Sequence, residues 1–276
     1  MKSARGWGWK SAALDVGEPA RSLRAMLVLR SLLFNVLFYL NLILWLIFGA
    51  LPALALPRRY MLAVALNWAR SALWLMRVTA GTRYEITGLE NIPQGGMMVA
   101  AKHQSFWETF ALVTIFQDPV FILKRELTWI PFFGWCLWKM RMIPVNRGAR
   151  ARALSHVTRR AKVELGQNGR QLLIFPEGTR RPAGAPPAYK FGVAHLYAEL
   201  GVPCVPVALN SGLYWPRRKF LRRPGTIRVE ILPPILPGMS KEAFQAQLQE
   251  RIETASDRLL ATGRGELARI GQDPLA

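Results

Sequence analysis

From about residue 81 onward, short apolar runs alternate with longer mixed segments. The runs at 97–101, 120–123, 142–145, 171–175 and 204–208 are brief and mostly apolar, several of them bounded by Gly or Pro, and with the alternating stretches 84–86 and 227–231 they read as strands. The segments 106–116, 127–139, 149–166, 189–200 and 241–261 read as helices. Strands alternating with helices predict an α/β fold with a largely parallel central sheet flanked by helices. The sequence has no internal repeat. The Pro- and Gly-rich stretch 181–187 predicts a mobile loop, and the stretch after Gly263 a frayed tail.

The N-terminal pattern differs. No charge falls between residues 31 and 56, where only Asn35 and Asn41 interrupt a Leu/Phe/Ile/Trp run. That exceeds the ~20 residues needed to cross a hydrocarbon core. Ala53-Leu54-Ala55 mimics a signal-peptide cleavage site, but the run is longer than the usual h-region of roughly 7–15 residues. A retained anchor is the better reading. Residues 60–78 are mostly apolar, with Asn67, Arg70, Ser71 and Arg77 as exceptions, and predict a helix lying at an interface. Basic residues flank the run on both sides, so the positive-inside rule has no asymmetry to read. A hairpin dipping into one leaflet keeps both basic clusters together; a single span separates them. The expected organisation is residues 1–80 as membrane-anchoring helices, 81–262 as the catalytic domain and 263–276 as the tail.

Composition narrows the partners. The 276 residues carry a formal net charge of +20, yet 51% are hydrophobic. Basic and apolar together suit an anionic membrane surface before a nucleic acid. No nucleic-acid module accompanies the charge, and none is expected as a partner. Helix 149–166 carries Arg150, Arg152, Arg159, Arg160 and Lys162, which read as a solvated face. In Arg217-Arg218-Lys219-Phe220-Leu221-Arg222-Arg223 the apolar residues embedded among the charges suit headgroup phosphates, although an ordinary basic loop fits as well. The two cysteines, Cys136 and Cys204, read as small core residues in a reducing compartment.

Two polar words follow predicted strands, where open α/β sheets build their sites. The first is Lys102-His103-Gln104-Ser105-Phe106-Trp107-Glu108; the second is Phe175-Pro176-Glu177-Gly178-Thr179-Arg180. Histidine titrates near neutrality and suits a general base, and a carboxylate that orients it completes a triad logic with a substrate hydroxyl as nucleophile. On one helix, residues five apart diverge by ~140°. His103 is therefore expected in the loop before a helix, with Glu108 one turn in and Ser105 capping by accepting a backbone N–H. In the second word, Arg180 can hold a phosphate bidentately, Gly178 admits close backbone approach and Thr179 adds a donor. Glu177 is expected to meet a glycerol hydroxyl or to position Arg180. Lys124 and Arg147 follow other predicted strands and can share the rim. His156 and His195 are isolated, and no cluster has zinc spacing.

The two words, with Ile143-Pro144-Val145-Asn146-Arg147 and Val202-Pro203-Cys204-Val205-Pro206-Val207, resemble the glycerolipid acyltransferase family, especially its 1-acylglycerol-3-phosphate acyltransferases. They stand in the family's order, from about Tyr84 to about Leu232. Two departures stand out: Glu108 replaces the usual Asp, and Arg141 falls where the third block often has Gly. The resemblance implies His103 and Glu108 as catalytic residues. It implies phosphate contacts from Lys124, in Lys124-Arg125-Glu126-Leu127, and from Arg147 and Arg180; Lys190 is a weaker match. It further implies a helical pair on the cytoplasmic leaflet, expected in a bacterial inner membrane. The expected reaction passes a fatty acyl group from acyl-CoA or acyl carrier protein, as substrate, to the sn-2 hydroxyl of lysophosphatidic acid, with no bound cofactor. The segment 129–135 is expected to line the acyl groove, to rest in the bilayer or to form a plain core helix. Acylation of another lysolipid, such as a lyso-ornithine lipid, and a non-enzymatic basic membrane adaptor are the rival readings.

Overall fold

The computed structural model describes residues 18–146 and 150–272. Arg147 and the N-terminal charges Lys2, Arg5 and Lys10 lie outside these residues. Helix α1, Glu18–Leu44, continues through a wider π-helical stretch, Trp45–Ala50, into a single turn, α2, Leu51–Leu54. Pro52 in that turn offers no N–H to the preceding carbonyls. Helix α3, Arg58–Leu75, then returns and ends in a second π stretch, Met76–Ala80. Gly81 stops it at φ +72°, a conformation glycine adopts without strain.

The two long helices form an antiparallel hairpin. Arg30 Nε donates to the Thr79 carbonyl at 2.8 Å, and Asn41 Nδ2 to Ser71 Oγ at 2.9 Å. Asn35 Oδ1 accepts from Arg222 Nη2 at 3.1 Å. Both asparagines that interrupt the apolar run thus supply polar contacts inside the protein. The outer side of α1 is apolar and exposed, as at Tyr39, Ile43 and, beyond its end, Phe48. Ser22–Leu54 is long and apolar enough to cross a membrane.

Strands β1 (Thr82–Thr87), β2 (Met97–Ala101), β3 (Pro119–Lys124), β4 (Ile143–Val145), β5 (Gln171–Ile174), β6 (Cys204–Leu209) and β7 (Gly225–Ile231) form one sheet, ordered β1-β7-β6-β2-β5-β3-β4. All neighbours pair in parallel except β6 and β7. Each predicted strand is present. The helices after β1 are α4 (Glu108–Ala111), α5 (Phe133–Lys139), α6 (Arg150–Asn168), α7 (Gly192–Leu200), α8 (Ser211–Tyr214) and α9 (Lys241–Arg269). The predicted helix 106–116 is one α turn followed by the 3-10 turn Leu112–Thr114, and 127–139 divides into the 3-10 turn Arg125–Trp129 and α5.

Alternation along the strands sends side chains to two cores. Met97, Val99 and Ala101 of β2 face Phe34, Phe38, Ala69 and Leu73 of the hairpin. Met98 and Ala100 face Val157, Ala194, Phe244 and Ile252 of α6, α7 and α9. The boundary expected at residues 80 and 81 therefore divides a single core, because one side of the hairpin covers the sheet. The expected tail after Gly263 is also corrected. Helix α9 continues to Arg269 because Leu267 is buried and Glu266 accepts from Tyr214, Thr226 and Arg228. Gly263 lies inside it, and a Cβ there would come within 2.6 Å of Leu213 Cδ1.

The basic cluster 217–223 is not uniformly exposed. Arg222 lies 4.4 Å from the Trp215 ring centroid and donates to the carbonyls of Lys219, Phe220 and Leu221. Burial pushes its pKa down to about 10. On α6, Arg159 and Arg160 are exposed, as a solvated face requires. Cys204 is buried and Cys136 half-buried, and they are not bridged. Arg141 adopts φ +55°, which explains physically why glycine suits that position.

Candidate active site

The chain leaves the end of β2 as a loop, held to β6 by the Lys102 N–H donating to the Val207 carbonyl at 2.9 Å. His103 stands in this loop, and Glu108 is the first residue of α4. The short helix lets the Glu108 side chain fold back over the loop. Its Oε1 accepts from Gln104 N and Ser105 N, both at 2.7 Å, and lies 2.9 Å from His103 Nδ1. Its Oε2 accepts from Ser211 Oγ at 2.8 Å. A fully buried carboxylate needs such donors in place of water, and Glu108 is fully buried. Ser105 Oγ accepts from the Trp107 N–H at 3.1 Å, so it does stabilise the start of the turn. The His103 ring stacks on Phe175 with centroids 3.9 Å apart, which fixes its plane.

The second word leaves β5. Gly178 N–H closes a turn onto the Phe175 carbonyl at 2.8 Å, and Gly178 takes φ +66°. A Cβ at Gly178 would lie 3.0 Å from Lys190 Cε, so Lys190 packs over this turn. Arg181 N–H donates to the His103 carbonyl at 2.8 Å, pinning the two words together. Arg180 is half-buried and faces the cavity described below. Burial, with Arg217 and Arg218 nearby, holds its pKa below the usual arginine value, while Glu108 opposes that shift.

Glu177 departs from expectation. It is buried, and Lys102 Nζ donates to its Oε1 at 3.1 Å. Lys102 Nζ also reaches Glu253 Oε1 at 2.7 Å, where the Tyr189 hydroxyl donates as well, at 2.8 Å. Burial raises the Glu177 pKa against the opposing effect of Lys102. Glu177 thus secures the underside of the turn through Lys102 and is not among the residues that line the cavity. The reason is the turn itself, which directs Glu177 inward while Gly178, Thr179 and Arg180 line the cavity.

His103, Lys124, Phe175, Gly178, Thr179, Arg180 and Arg217 share the wall of one cavity of about 460 Å³. From this polar mouth it continues between the hairpin, at Leu46, Met61 and Trp68, and Phe121, Phe133 and Met140. Lys124 is exposed and pairs with Glu126 at 3.3 Å. Segment 129–135 splits: Phe133 lines the cavity, while Trp129, Phe132 and Trp135 are exposed. Arg147 lies outside the described residues. His156 is exposed on α6, and His195 lies on α7, a helix that packs on the other face of the sheet. Among the described residues, no group of His, Cys, Asp and Glu is placed to hold a metal.

Four contributors were not expected as site residues. Ser211 has no sequence signal, being 103 positions from Glu108. Lys102 and Phe175 belong to the two words, but only the fold shows their partners. Arg217 was visible only as part of a basic cluster.

Sequence and structure comparisons identify proteins that the chain resembles. The profile of the family described as Acyltransferase matches residues 83–210. A 1-acyl-sn-glycerol-3-phosphate acyltransferase from Pseudomonas aeruginosa is 40% identical over 227 residues, covering 82% of this chain and 88% of the relative. The human 1-acyl-sn-glycerol-3-phosphate acyltransferase alpha is 30% identical, covering 84% and 83%. The crystal structure of the 1-acyl-sn-glycerophosphate (LPA) acyltransferase from Thermotoga maritima superposes with a TM-score of 0.71 at 25% identity, covering 83% and 96%.

Proposed function

The chain belongs to the acyltransferase family, and from that premise we propose that it transfers a fatty acyl group from an acyl thioester to the sn-2 hydroxyl of 1-acylglycerol-3-phosphate, giving phosphatidic acid for phospholipid synthesis. The observation that carries this reading is the His103–Glu108 pair at the polar mouth of a cavity that holds Arg180 and then becomes apolar. Acyl chain and phosphate need opposite surroundings, and this cavity offers both beside one base.

In the proposed reaction, Glu108 accepts a hydrogen bond from the His103 Nδ1–H, which leaves Nε2 unprotonated. Nε2 takes the proton of the acceptor hydroxyl as its oxygen bonds to the thioester carbonyl carbon. The tetrahedral intermediate collapses, the carbon–sulfur bond breaks, and the leaving thiolate recovers the proton from His103. Glu108 stabilises the transient imidazolium, while the stacked Phe175 ring limits its rotation. Arg180, with Thr179 and Lys124 on the rim, suits the acceptor phosphate. The donor is an acyl thioester of CoA or acyl carrier protein; the basic surface suits either anionic carrier.

The hairpin is proposed to enter one leaflet from the cytoplasmic side of a bacterial inner membrane, leaving the catalytic mouth at the headgroups. Exposed apolar groups on α1 and at Trp129, Trp135 and Trp138 support this placement. Incubating detergent-purified protein with a panel of lysolipids and labelled acyl-CoA or acyl carrier protein tests the reaction. Labelled phosphatidic acid is expected. Acylation of lyso-ornithine lipid in its place overturns the acceptor assignment, and no acyl transfer to any lysolipid overturns the reading.

A further inference from the structure

We propose that Arg217 is a specificity residue for this reaction, completing with Arg180 a two-guanidinium clamp that selects a phosphomonoester over a phosphodiester on the acceptor. The proposal rests on the acyl-transfer reading above. Arg217 and Arg180 both line the cavity that contains His103. Arg217 Nη1 donates to the Arg180 carbonyl at 2.8 Å, which fixes the Arg217 guanidinium against the backbone of Arg180. Arg217 Nε is shielded from solvent and has no hydrogen-bond partner among the described residues.

Neither guanidinium is ion-paired among the described residues, whereas Arg58, Arg170, Arg228 and Arg258 each meet a carboxylate. Two neighbouring unpaired cations repel, and burial first, then the charge of Arg217, holds the Arg180 pKa below the usual arginine value. Glu108, the acidic group that offsets it, already accepts from His103, Gln104, Ser105 and Ser211. An anion between the two guanidiniums relieves the repulsion and can supply the missing acceptor.

The position of Arg217 follows from its segment. Ser211, at the start of α8, holds Glu108, and six residues later Arg217 holds the Arg180 loop. One stretch of chain therefore sets the spacing between the acid–base pair and the cation pair. Arg218, the next residue, takes φ +59°, a strained conformation for a side chain of that size.

Charge decides which anion fits. A phosphomonoester loses its second proton with a pKa of about 6 and carries close to two negative charges at neutral pH. A phosphodiester carries one. Two guanidiniums match the first. A phosphomonoester also occurs on CoA, so the acceptor and the donor are separate sources of the same chemistry.

The test uses the full chain in detergent as wild type, Arg217→Gln and Arg217→Lys, each confirmed by its melting curve. KM is measured for lysophosphatidic acid and for lysophosphatidylglycerol, with acyl-CoA and with a phosphate-free acyl N-acetylcysteamine thioester as donors. Arg217→Gln is expected to raise the lysophosphatidic acid KM roughly ten- to hundredfold, the loss of a charge-assisted hydrogen bond. The lysophosphatidylglycerol KM should move far less, and Arg217→Lys should restore part of the loss. An equal rise for both acceptors overturns the proposal and reduces Arg217 to a support for the Arg180 carbonyl. A rise seen in the donor KM with acyl-CoA alone moves the clamp to the donor, also overturning it. Failure of the acyl-transfer reading is separately visible, as wild-type protein that does not acylate lysophosphatidic acid. In that event sn-glycerol 3-phosphate is titrated calorimetrically into His103→Ala with and without Arg217→Gln. Weaker binding in the double variant upholds the clamp, and identical isotherms overturn it.

Discussion

Glu108→Gln isolates what the buried negative charge does for His103. In the variant, the amide oxygen is expected to stay where Oε1 lies, because the Gln104 and Ser105 N–H groups both donate there at 2.7 Å. The amide NH2 then faces Ser211, whose hydroxyl can turn to accept. Every hydrogen bond keeps a donor and an acceptor, His103 Nδ1–H still has its partner, and the fold should survive. Only the charge is lost. With His103 Nδ1 and Glu108 Oε1 2.9 Å apart, the charge centres lie close to ~4 Å, and an effective dielectric of ~20 gives an attraction of about 4 kcal/mol for the imidazolium. At ~1.36 kcal/mol per decade, kcat should fall by about 10³. Thiol release from acyl-CoA, followed with a chromogenic disulfide, reads this directly, and the melting temperature controls for folding. A folded variant within about tenfold of wild type would refute the assignment of Glu108 as stabiliser of the imidazolium. Glu108→Asp retains the charge but shortens the reach by about 1.5 Å, so partial activity is expected.

Ser211→Ala leaves Glu108 Oε2 without its donor, and a buried acceptor so exposed costs about 1–3 kcal/mol. Lower thermal stability together with lower kcat is expected, and wild-type values of both would show the bond to be idle. Gly178→Ala adds a Cβ 3.0 Å from the flexible end of Lys190, which can give way, but at φ +66° it strains the backbone of the Arg180 turn and favours its displacement. Kinetics should show a higher lysolipid KM, and an unchanged KM would mean that the turn adjusts without moving Arg180. Removal of residues 1–80 uncovers Val99, Val205 and Ile227, which face the hairpin core. The shortened chain should aggregate or lose its cooperative melting transition; a soluble, cooperatively melting fragment would contradict the shared core.

The central strands were legible because each is a short apolar run, β2 and β6 being buried along their whole length, whereas β7 shows by alternation. Helical ends were less so. Segment 106–116 has enough apolar residues for a continuous helix, but its α turn ends at Ala111. The hairpin's division into an outer and a sheet-facing side was hidden because residues 31–56 are apolar all round. Phe34 and Phe48 look alike in sequence, yet Phe34 is fully buried and Phe48 is 74% exposed. Local spacing correctly put His103 in a loop before the helix that bears Glu108, because that geometry depends on six consecutive residues. Long-range partners left no trace: Lys102 and Glu177 each look available for substrate until β2 and β5 bring them together. For the same reason Ser211 went unnoticed, and Arg222 of the basic cluster 217–223 proved to be structural.

The most direct test of the account compares wild-type protein with His103→Ala, using labelled acyl donor and lysophosphatidic acid in mixed micelles, with lysolipid binding measured in parallel. The account predicts that wild type forms labelled phosphatidic acid, and that His103→Ala binds the lysolipid normally but turns it over about 10²–10⁴ times more slowly. Wild-type turnover by folded His103→Ala would contradict it, as would a wild-type protein that forms no phosphatidic acid with either acyl carrier.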